Sequence, residues 1–182
     1  MKVLIINGSH RAGNTDIAVD KVLSELHKRG DIAVQLKLRD IEMMMPDGCV
    51  ACCESKDCPN VKDQFSKEIE PDLHDYDVYI IATPTWSDTI TPLTNIFWQR
   101  IVTWDNDDRQ YLKGKKLAVI THGQAGMKSW KNVINWAKSV CVWEKCIFTG
   151  ALTFKSGAKP GVLRLTSLQV EKFVDLLTAK VE

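Results

Sequence analysis

The sequence lacks long hydrophobic runs, a large net charge of either sign, internal repeats and low-complexity segments. Its longest apolar runs are far too short to cross a bilayer, so we expect no membrane partner. The 182 residues carry a net charge of +1, which indicates neither a nucleic-acid-binding surface nor an acidic electron-carrier surface. With 45% hydrophobic residues and no linker-like segment, residues 1–182 are predicted to form one domain with a sizeable core.

The N-terminus also lacks the charged, apolar and small-residue regions of a signal peptide, because it opens directly on a strand-like run. We therefore expect a cytoplasmic protein. In that compartment, six cysteines favour thiols or metal ligands over disulfides. No Ser-His-Asp arrangement and no pair of carboxylates suggests hydrolysis.

The stretch from Met1 to Thr15 is the most informative part of the sequence. Val3–Ile6 is a short apolar run, typical of a strand buried on both faces, and the polar segment 7–15 follows it. Asn14 and Thr15 are good N-cap and first-turn residues, which predicts that a helix opens there. Loop amides and the first helical N–H groups would point into one hollow, where the helix dipole adds positive potential. The stretch therefore predicts an anion site.

Two common nucleotide motifs are missing from this stretch. The spacing of Gly8, Gly13 and Thr15 resembles a nucleoside-triphosphate loop, but Asn14 stands where that loop needs a lysine. The dinucleotide fingerprint G-x-G-x-x-G is absent as well. A single phosphate held by amides, hydroxyls and Arg11, as in a mononucleotide phosphomonoester, fits best. The alternative is an ordinary strand–helix turn with no ligand.

Buried apolar runs alternate with helix-like segments along the chain. The runs predict five strands, near residues 3–6, 32–38, 77–83, 115–121 and 146–154. Helical spacing predicts helices over 15–29, 61–69, 91–104, 129–143 and from 166 onward, with a loop at 155–165. Unbroken apolar strands argue for a parallel sheet covered on both faces. In the order 2-1-3-4-5, the loops after strands one, three and four would share one edge and build a nucleotide-sized site.

Three motifs carry a resemblance to a known family. They are Gly8-Ser9-His10-Arg11 with Gly13-Asn14-Thr15, then Ala82-Thr83-Pro84-Thr85-Trp86, then Ile96-Phe97-Trp98-Gln99-Arg100. Together they resemble the NADPH-dependent FMN reductase and iron–sulfur flavoprotein branch of the flavodoxin-like superfamily. The resemblance implies an α/β, three-layer sandwich, in which a five-stranded parallel sheet has helices on both faces. It also implies bound FMN.

The resemblance further implies a flavin site made of three loops. The phosphate loop is matched by Ser9, Arg11, Gly13, Asn14 and Thr15. The loop around the isoalloxazine is matched by Pro84, Thr85, Trp86 and Ser87, and the loop bordering the flavin ring by Thr121, His122, Gly123 and Gln124. The family usually has tyrosine where Trp86 stands. In the following helix, Asn95 and Gln99-Arg100 replace a common lysine and Asp-Arg pair, so only the arginine is kept.

Some aromatic residues also have simpler interpretations. Trp86 follows the strand-ending Pro84, which favours flavin contact over a place in the core. His122 is equally compatible with a flavin or substrate contact and with a loop histidine that bonds its own backbone. Tryptophans in helical segments are predicted to lie in the core or at a subunit interface: Trp98, Trp104, Trp136 and Trp143.

A cysteine-rich loop lies at about residues 43–60. Its cysteines, Cys49, Cys52, Cys53 and Cys58, could ligate an iron–sulfur cluster or zinc. The resembling iron–sulfur flavoproteins separate their first three ligands by two residues each, but here Ser55 stands at the third position. We therefore favour free or redox-active thiols and no metal site, with an iron–sulfur cluster or zinc as alternatives. Cys141 and Cys146 are predicted to be buried packing residues.

The resemblance implies an FMN-dependent oxidoreductase that takes hydride from NADH or NADPH. Electrons would pass through bound FMN to a small acceptor, which could be a quinone, a free flavin, an azo or nitro compound, or a metal ion. No catalytic side chain is predicted, because hydride transfer to flavin needs no general base. A homodimer or homotetramer is implied, since two chains usually form the family's substrate pocket. The alternative is an electron-carrier flavoprotein that serves protein partners, which a balanced surface charge disfavours.

Overall fold

A computed structural model of the chain describes residues 1–48, 62–101 and 110–179. Within these ranges the strands are β1 (Lys2–Asn7), β2 (Ile32–Lys37), β3 (Val78–Pro84), β4 (Lys116–Gly123), β5 (Ile147–Ser156) and β6 (Leu163–Arg164). The α-helices are α1 (Asn14–Lys28), α2 (Pro92–Ile101), α3 (Met127–Trp143) and α4 (Ser167–Thr178). Short helical turns lie at Leu38–Asp40, Phe65–Ile69 and Glu70–Asp75.

The strands form one sheet in the order β2-β1-β3-β4-β5-β6. Strands β1 to β5 are parallel, so the predicted five-stranded sheet with the order 2-1-3-4-5 is confirmed. The carboxyl ends of the strands meet in register, with Asn7 beside Ala82 and Thr83 beside Thr121. The loops after β1, β3 and β4 therefore lie along one edge of the sheet, as the sequence predicts.

Two predicted segments differ from the structure. The predicted loop 155–165 contains β6, which pairs antiparallel with the end of β5. The Gly157 N–H donates to the Val162 carbonyl at 2.7 Å and closes this hairpin; a two-residue strand is too short to show periodicity. The described part of the helix predicted over 61–69 is a wide π-type turn at Phe65–Ile69. A tight 3₁₀ turn follows, because Pro71 lacks the N–H that a continuing α-helix needs.

Side chains on the two faces of the sheet form two cores. Val3 and Ile5 pack with α1 and α4, whereas Leu4 and Ile6 pack with α2 and α3. Successive residues of a strand point to opposite faces. A strand covered on both faces therefore needs an apolar side chain at every position, which explains the unbroken runs in the sequence. Within the described ranges, no helix is both long and apolar enough to cross a bilayer.

A buried ion pair joins α2 to the turn before Phe65. The Asp63 and Arg100 side chains are 1% and 3% exposed and form a salt bridge. Arg100 also donates to the Met44 carbonyl at 3.1 Å and to the Ser66 hydroxyl at 2.5 Å. Burial alone would raise the pKa of Asp63, but hydrogen bonds from Arg100 and from the Met44 and Ser66 amides hold it at about 2. Arg100, the arginine kept from the Asp-Arg pair of the resembling family, is therefore paired with Asp63, which lies outside α2.

Candidate functional site

A cleft lies at the carboxyl edge of the sheet, at the ends of β1, β3, β4 and β5. Its volume is about 320 Å³, within the usual range for a small-molecule site. The residues that line it are Ser9, His10, Arg11, Gly13, Asn14, Thr15, Pro84, Thr85, Trp86, His122, Gly157, Ala158 and Pro160. Four separate segments of the chain therefore contribute to one cavity.

The loop between β1 and α1 carries both paired and unpaired backbone donors. The Gly13 N–H donates to the Asp16 carboxylate at 2.8 Å, and the Ser9 N–H donates to the Asn7 side chain at 3.0 Å. Within the described part of the chain, no protein acceptor meets the amides of His10, Arg11, Ala12, Asn14 and Thr15. Unpaired amides at a helix N-terminus favour an anion, and the helix dipole adds to this preference.

Two charged side chains flank this loop. Asp16 would repel an anion, but it is paired with Arg39 at 2.8 Å and accepts the Asn7 side-chain N–H at 3.0 Å. Arg11 is exposed and donates one N–H to the Ala158 carbonyl at 3.0 Å. A guanidinium has five N–H groups, so Arg11 keeps donors for a ligand. The loop thus combines a neutralised acid with an available cation.

Asn14 links this loop to the turn between β5 and β6. Its side-chain amide donates to the carbonyls of Gly157 at 2.9 Å and Lys159 at 3.1 Å. Its side-chain carbonyl accepts the Gly161 N–H at 2.8 Å, and Gly161 has φ +82°, a left-handed conformation that favours glycine. The Asn14 side chain therefore holds a neighbouring turn in place, and its backbone amide is what it offers to the hollow.

His122 connects three elements at the cleft. Its Nε2 lies 2.8 Å from Thr15 Oγ1, its Nδ1 lies 2.7 Å from Ser156 Oγ, and its ring stacks on Phe154. The residue is 6% exposed, and burial lowers its pKa to about 4. The imidazole is therefore uncharged at neutral pH, so one ring nitrogen donates and the other accepts. Both nitrogens bond hydroxyls of other elements rather than the backbone of their own loop.

Trp86 begins a tight turn at the cleft. Its N–H donates to the Thr89 carbonyl at 2.9 Å, and the Thr89 N–H returns a bond at 3.1 Å. Between them, Ser87 and Asp88 have φ +48° and +61°, a left-handed backbone that costs non-glycine residues about 1 kcal/mol or more each. The Asp88 carboxylate accepts the Ser129 hydroxyl, so α3 holds the turn in this conformation.

The Trp86 side chain is 57% exposed, and the edge of its ring meets His10 with ring centroids 5.4 Å apart. It is therefore not a core residue. An exposed indole on a fixed turn is suited to stacking against a flat ligand.

Nine of the thirteen predicted site residues line the cleft, and four do not. Ser87 and Gln124 are exposed on adjoining turns. Thr121 is fully buried in the sheet, and its hydroxyl has no partner among the described residues. Gly123 supports the second loop, because a Cβ there would overlap the Thr85 hydroxyl. Contact with a ligand stays a prediction at all thirteen positions.

Four lining residues were not predicted. His10 lies inside the first motif, where no role follows from its residue type alone, and Gly157, Ala158 and Pro160 follow β5. Glycine and proline at the carboxyl end of a strand are the signal that identified the other three loops. The same signal was present after β5 and would have identified the fourth segment.

Several predicted features fall on residues that the structure does not describe. Cys49, Cys52, Cys53 and Cys58 lie there, so the thiol and cluster interpretations stay predictions. Cys141 is buried in the core on the side of α2 and α3, as predicted, whereas Cys146 is only half-buried and packs against that core.

Five parallel strands in the order 2-1-3-4-5, with helices on both faces and polar loops at the carboxyl edge, define a flavodoxin-like fold. The family model for NADPH-dependent FMN reductases matches residues 1–151. The chain belongs to that family.

Individual relatives are more distant. An iron-sulfur flavoprotein from Archaeoglobus fulgidus is 35% identical over 91 residues, which are 50% of this chain and 44% of that protein. The chain therefore spans less than half the length of this curated relative.

Two solved structures share the fold at low sequence identity. RosB with bound 8-demethyl-8-formylriboflavin-5'-phosphate superposes with a TM-score of 0.70 at 16% identity, covering 97% of this chain and 77% of RosB. An FMN-dependent NADH-azoreductase from Bacillus anthracis, in complex with FMN, has a TM-score of 0.65 at 14% identity. That match covers 97% of this chain and 96% of the azoreductase. At such identities the two structures establish a common fold alone.

Proposed function

We propose that this protein is an FMN-dependent NAD(P)H oxidoreductase that passes electrons to a small acceptor. The observation that carries the proposal is the set of unpaired amides between His10 and Thr15, which lies in a cleft bordered by the exposed Trp86 ring. The amides suit a phosphate, and the indole suits a planar ring. FMN carries both groups.

The charges around the cleft suit FMN. A phosphomonoester carries close to two negative charges near neutral pH, and Arg11 supplies a cation that can form charge-assisted hydrogen bonds. Asp16, the acid within the loop, is already paired with Arg39. A nucleoside triphosphate fits less well, because Asn14 replaces the lysine that would meet its outer phosphates.

Thr15 has a particular part in holding the phosphate, since a hydroxyl donates to one acceptor at a time. If His122 donates from Nε2, Thr15 Oγ1 accepts that bond and keeps its own O–H for a phosphate oxygen. Ser156 then donates to Nδ1 of His122. In this tautomer, the three side chains form a relay of donors that ends at the phosphate.

Bound FMN would supply the redox chemistry, accepting hydride from a nicotinamide and releasing electrons to the acceptor. The chain binds and orients the reactants. Amides of the second and third loops are expected to stabilise negative charge on the reduced ring. The amides of Thr85 and Trp86 are used in internal bonds, so other amides of these loops would have to fill this role.

The acceptor classes we propose are quinones, free flavins, azo or nitro compounds and metal ions. A flat acceptor or nicotinamide would stack on the exposed face of the flavin, beside Trp86. The common fold with an FMN-dependent NADH-azoreductase supports this class of reaction. Two chains would complete the substrate pocket in a homodimer or homotetramer.

Flavin binding tests the first half of the proposal. Apoprotein is titrated with FMN and with riboflavin, and flavin fluorescence reports binding. FMN should bind at least about 100-fold more tightly, because charge-assisted bonds to the phosphate contribute roughly 3 kcal/mol. Equal affinities would contradict a phosphate site in the loop, and folded protein that ignores FMN would overturn the proposal.

Nicotinamide oxidation tests the second half. NADH or NADPH, added anaerobically to FMN-loaded protein, should bleach the flavin absorbance bands, and a quinone should restore them. Bands that ignore both nucleotides and bleach only with dithionite would favour the electron-carrier alternative. Iron analysis of the same anaerobic preparation decides whether the 49–58 cysteines hold a cluster.

A further inference from the structure

Two cysteines far from the cleft meet at the end of α3. Cys141 lies in the last turn of the helix, and Cys146 directly precedes β5. The Cys146 N–H donates to the Cys141 carbonyl at 3.1 Å, and Lys145 has φ +52°. This bond and this left-handed residue define a Schellman-type helix ending, in which the side chains at these two positions commonly touch.

A hydrogen bond joins the two thiols. Cys141 is 7% exposed, Cys146 is half-buried, and both are free thiols. A hydrogen bond between the thiols lowers the pKa of Cys141, whereas the same bond and burial raise the pKa of Cys146. The two thiols are therefore close enough to share a proton, and Cys146 is the more exposed residue of the pair.

The surrounding backbone holds the two residues side by side. The Gly114 N–H donates to the Lys145 carbonyl at 2.9 Å, and the Ile147 N–H donates to the Lys115 carbonyl at 2.9 Å. These bonds attach the segment around Cys146 to the chain that leads into β4. A disulfide needs two side chains held close together, and a helix ending of this type brings the side chains at these two positions together.

We propose that Cys141 and Cys146 form a reversible intrachain disulfide, a redox modification site separate from the flavin cleft. The oxidant is a low-molecular-weight disulfide such as glutathione disulfide. Cys146 first forms a mixed disulfide and releases one small thiol; the Cys141 thiolate then attacks the Cys146 sulfur, and the second small thiol leaves. Two protein thiols lose two electrons and two protons, and the small disulfide becomes two thiols, so the exchange balances.

Peptide mapping tests the proposal on the full chain. Trypsin cuts after Lys145, so Cys141 falls in peptide 139–145 and Cys146 in peptide 146–155. Protein exposed to glutathione disulfide is quenched with N-ethylmaleimide, digested and analysed by mass spectrometry without reduction. The expected product is the two peptides joined by a disulfide, which dithiothreitol separates. Recovery of both peptides unlinked, or linked to cysteines of the 49–58 segment, would overturn the proposal.

Two single variants assign the order of the steps. Cys141→Ser removes the resolving thiol, so glutathione should accumulate on Cys146 to at least about tenfold above the wild-type level. In Cys146→Ser, the buried Cys141 should remain unmodified. Equal glutathione on Cys146 in Cys141→Ser and in wild type would contradict resolution by Cys141. The wild-type peptide map decides the main point even if a variant folds poorly.

Discussion

Two polar regions of this molecule are built on opposite plans. Around Asp63 and Arg100, a carboxylate and a guanidinium neutralise each other deep in the protein, and bonds with Met44 and Ser66 surround them. In the segment 9–15, a helix N-terminus presents amides that meet no acceptor within the described chain. The first region neutralises its own charges, and the second presents donors to the cleft.

This difference separates stability from binding capacity. Removal of one member of a buried ion pair leaves the other charge uncompensated, so the region around Asp63 and Arg100 is sensitive to substitution. The donors of the segment 9–15 that meet no protein acceptor can instead bind an anion. Substitutions in the first region should therefore cost stability, and substitutions at the cleft should cost FMN affinity.

Asp63→Asn should have the largest effect, a decrease of about 3–5 kcal/mol in the free energy of unfolding, because it leaves Arg100 as an uncompensated buried charge. Urea unfolding at neutral pH measures the loss. Asp72→Asn, at an exposed carboxylate, is the matched control and should change stability by less than about 0.5 kcal/mol. A large loss of FMN affinity in folded Asp63→Asn protein would contradict the claim that this region serves stability and not binding.

Acid unfolding sharpens the same contrast. The pKa of Asp63 is about 2 in the folded protein and about 3.9 in an unfolded chain. Its contribution to stability is therefore present above about pH 4 and is lost as the pH falls towards 2. Wild-type protein should lose more stability than Asp63→Asn over this interval, and parallel pH profiles would show that the carboxylate is not held ionised by its partners.

His122 lies at the cleft but resembles the first region, because both of its ring nitrogens have partners. Burial holds its pKa at about 4, below about 6.5 in an unfolded chain, so the neutral ring favours the fold above about pH 6.5. That contribution is lost as the pH falls towards 4. Between about pH 7 and pH 4, wild type should lose roughly 2–3 kcal/mol more unfolding free energy than His122→Gln, which does not titrate.

The control for this pH series is His10→Gln, at an exposed imidazole in the same cleft. Its unfolding free energy should follow the wild-type pH profile. If His122→Gln also followed that profile, the ring would be titrating normally in the folded protein, and its assignment to a self-sufficient cluster would be wrong.

The strand order and the carboxyl-edge loops could be predicted because they depend on local pattern. Apolar runs such as Val78–Ala82 identify buried strands, and the residues that stop each run identify the loops. Alternation of strands with helices then limits the sheet to a few topologies, of which the observed order is one.

Side-chain partnerships could not be predicted, because they join residues far apart in the chain. Asn14 bonds Gly157, 143 positions away, so a residue matched to a phosphate loop turns out to fix a neighbouring turn. Asp63 and Arg100 are 37 positions apart, and no local spacing connects them. Such partners depend on how the loops pack once the sheet has formed, which the composition of either segment does not specify.

Trp86→Ala should weaken FMN and riboflavin binding equally, by about five- to tenfold, because an aromatic contact of about 1 kcal/mol is made with the ring rather than the phosphate. Fluorescence titration measures both affinities. Trp86→Phe should recover most of the loss, and Trp143→Ala, at another exposed indole on α3, should leave both affinities unchanged. Unfolding free energy should stay within about 0.5 kcal/mol of wild type. A larger loss of stability would mean that Trp86 supports the fold in addition to any contact with the flavin.

Arg11→Gln should have the smallest effect, a three- to fivefold increase in the FMN Kd at low salt, roughly 1 kcal/mol or less, because an exposed guanidinium is screened by solvent. The increase should shrink at about 0.5 M salt, and riboflavin affinity should not change. Lys128→Gln, at an exposed cation on α3, is the matched control. Glutamine can still donate to the Ala158 carbonyl, so the turn beside the cleft is kept. An equal loss of riboflavin affinity would mean that Arg11 acts by supporting that turn and not by binding the phosphate.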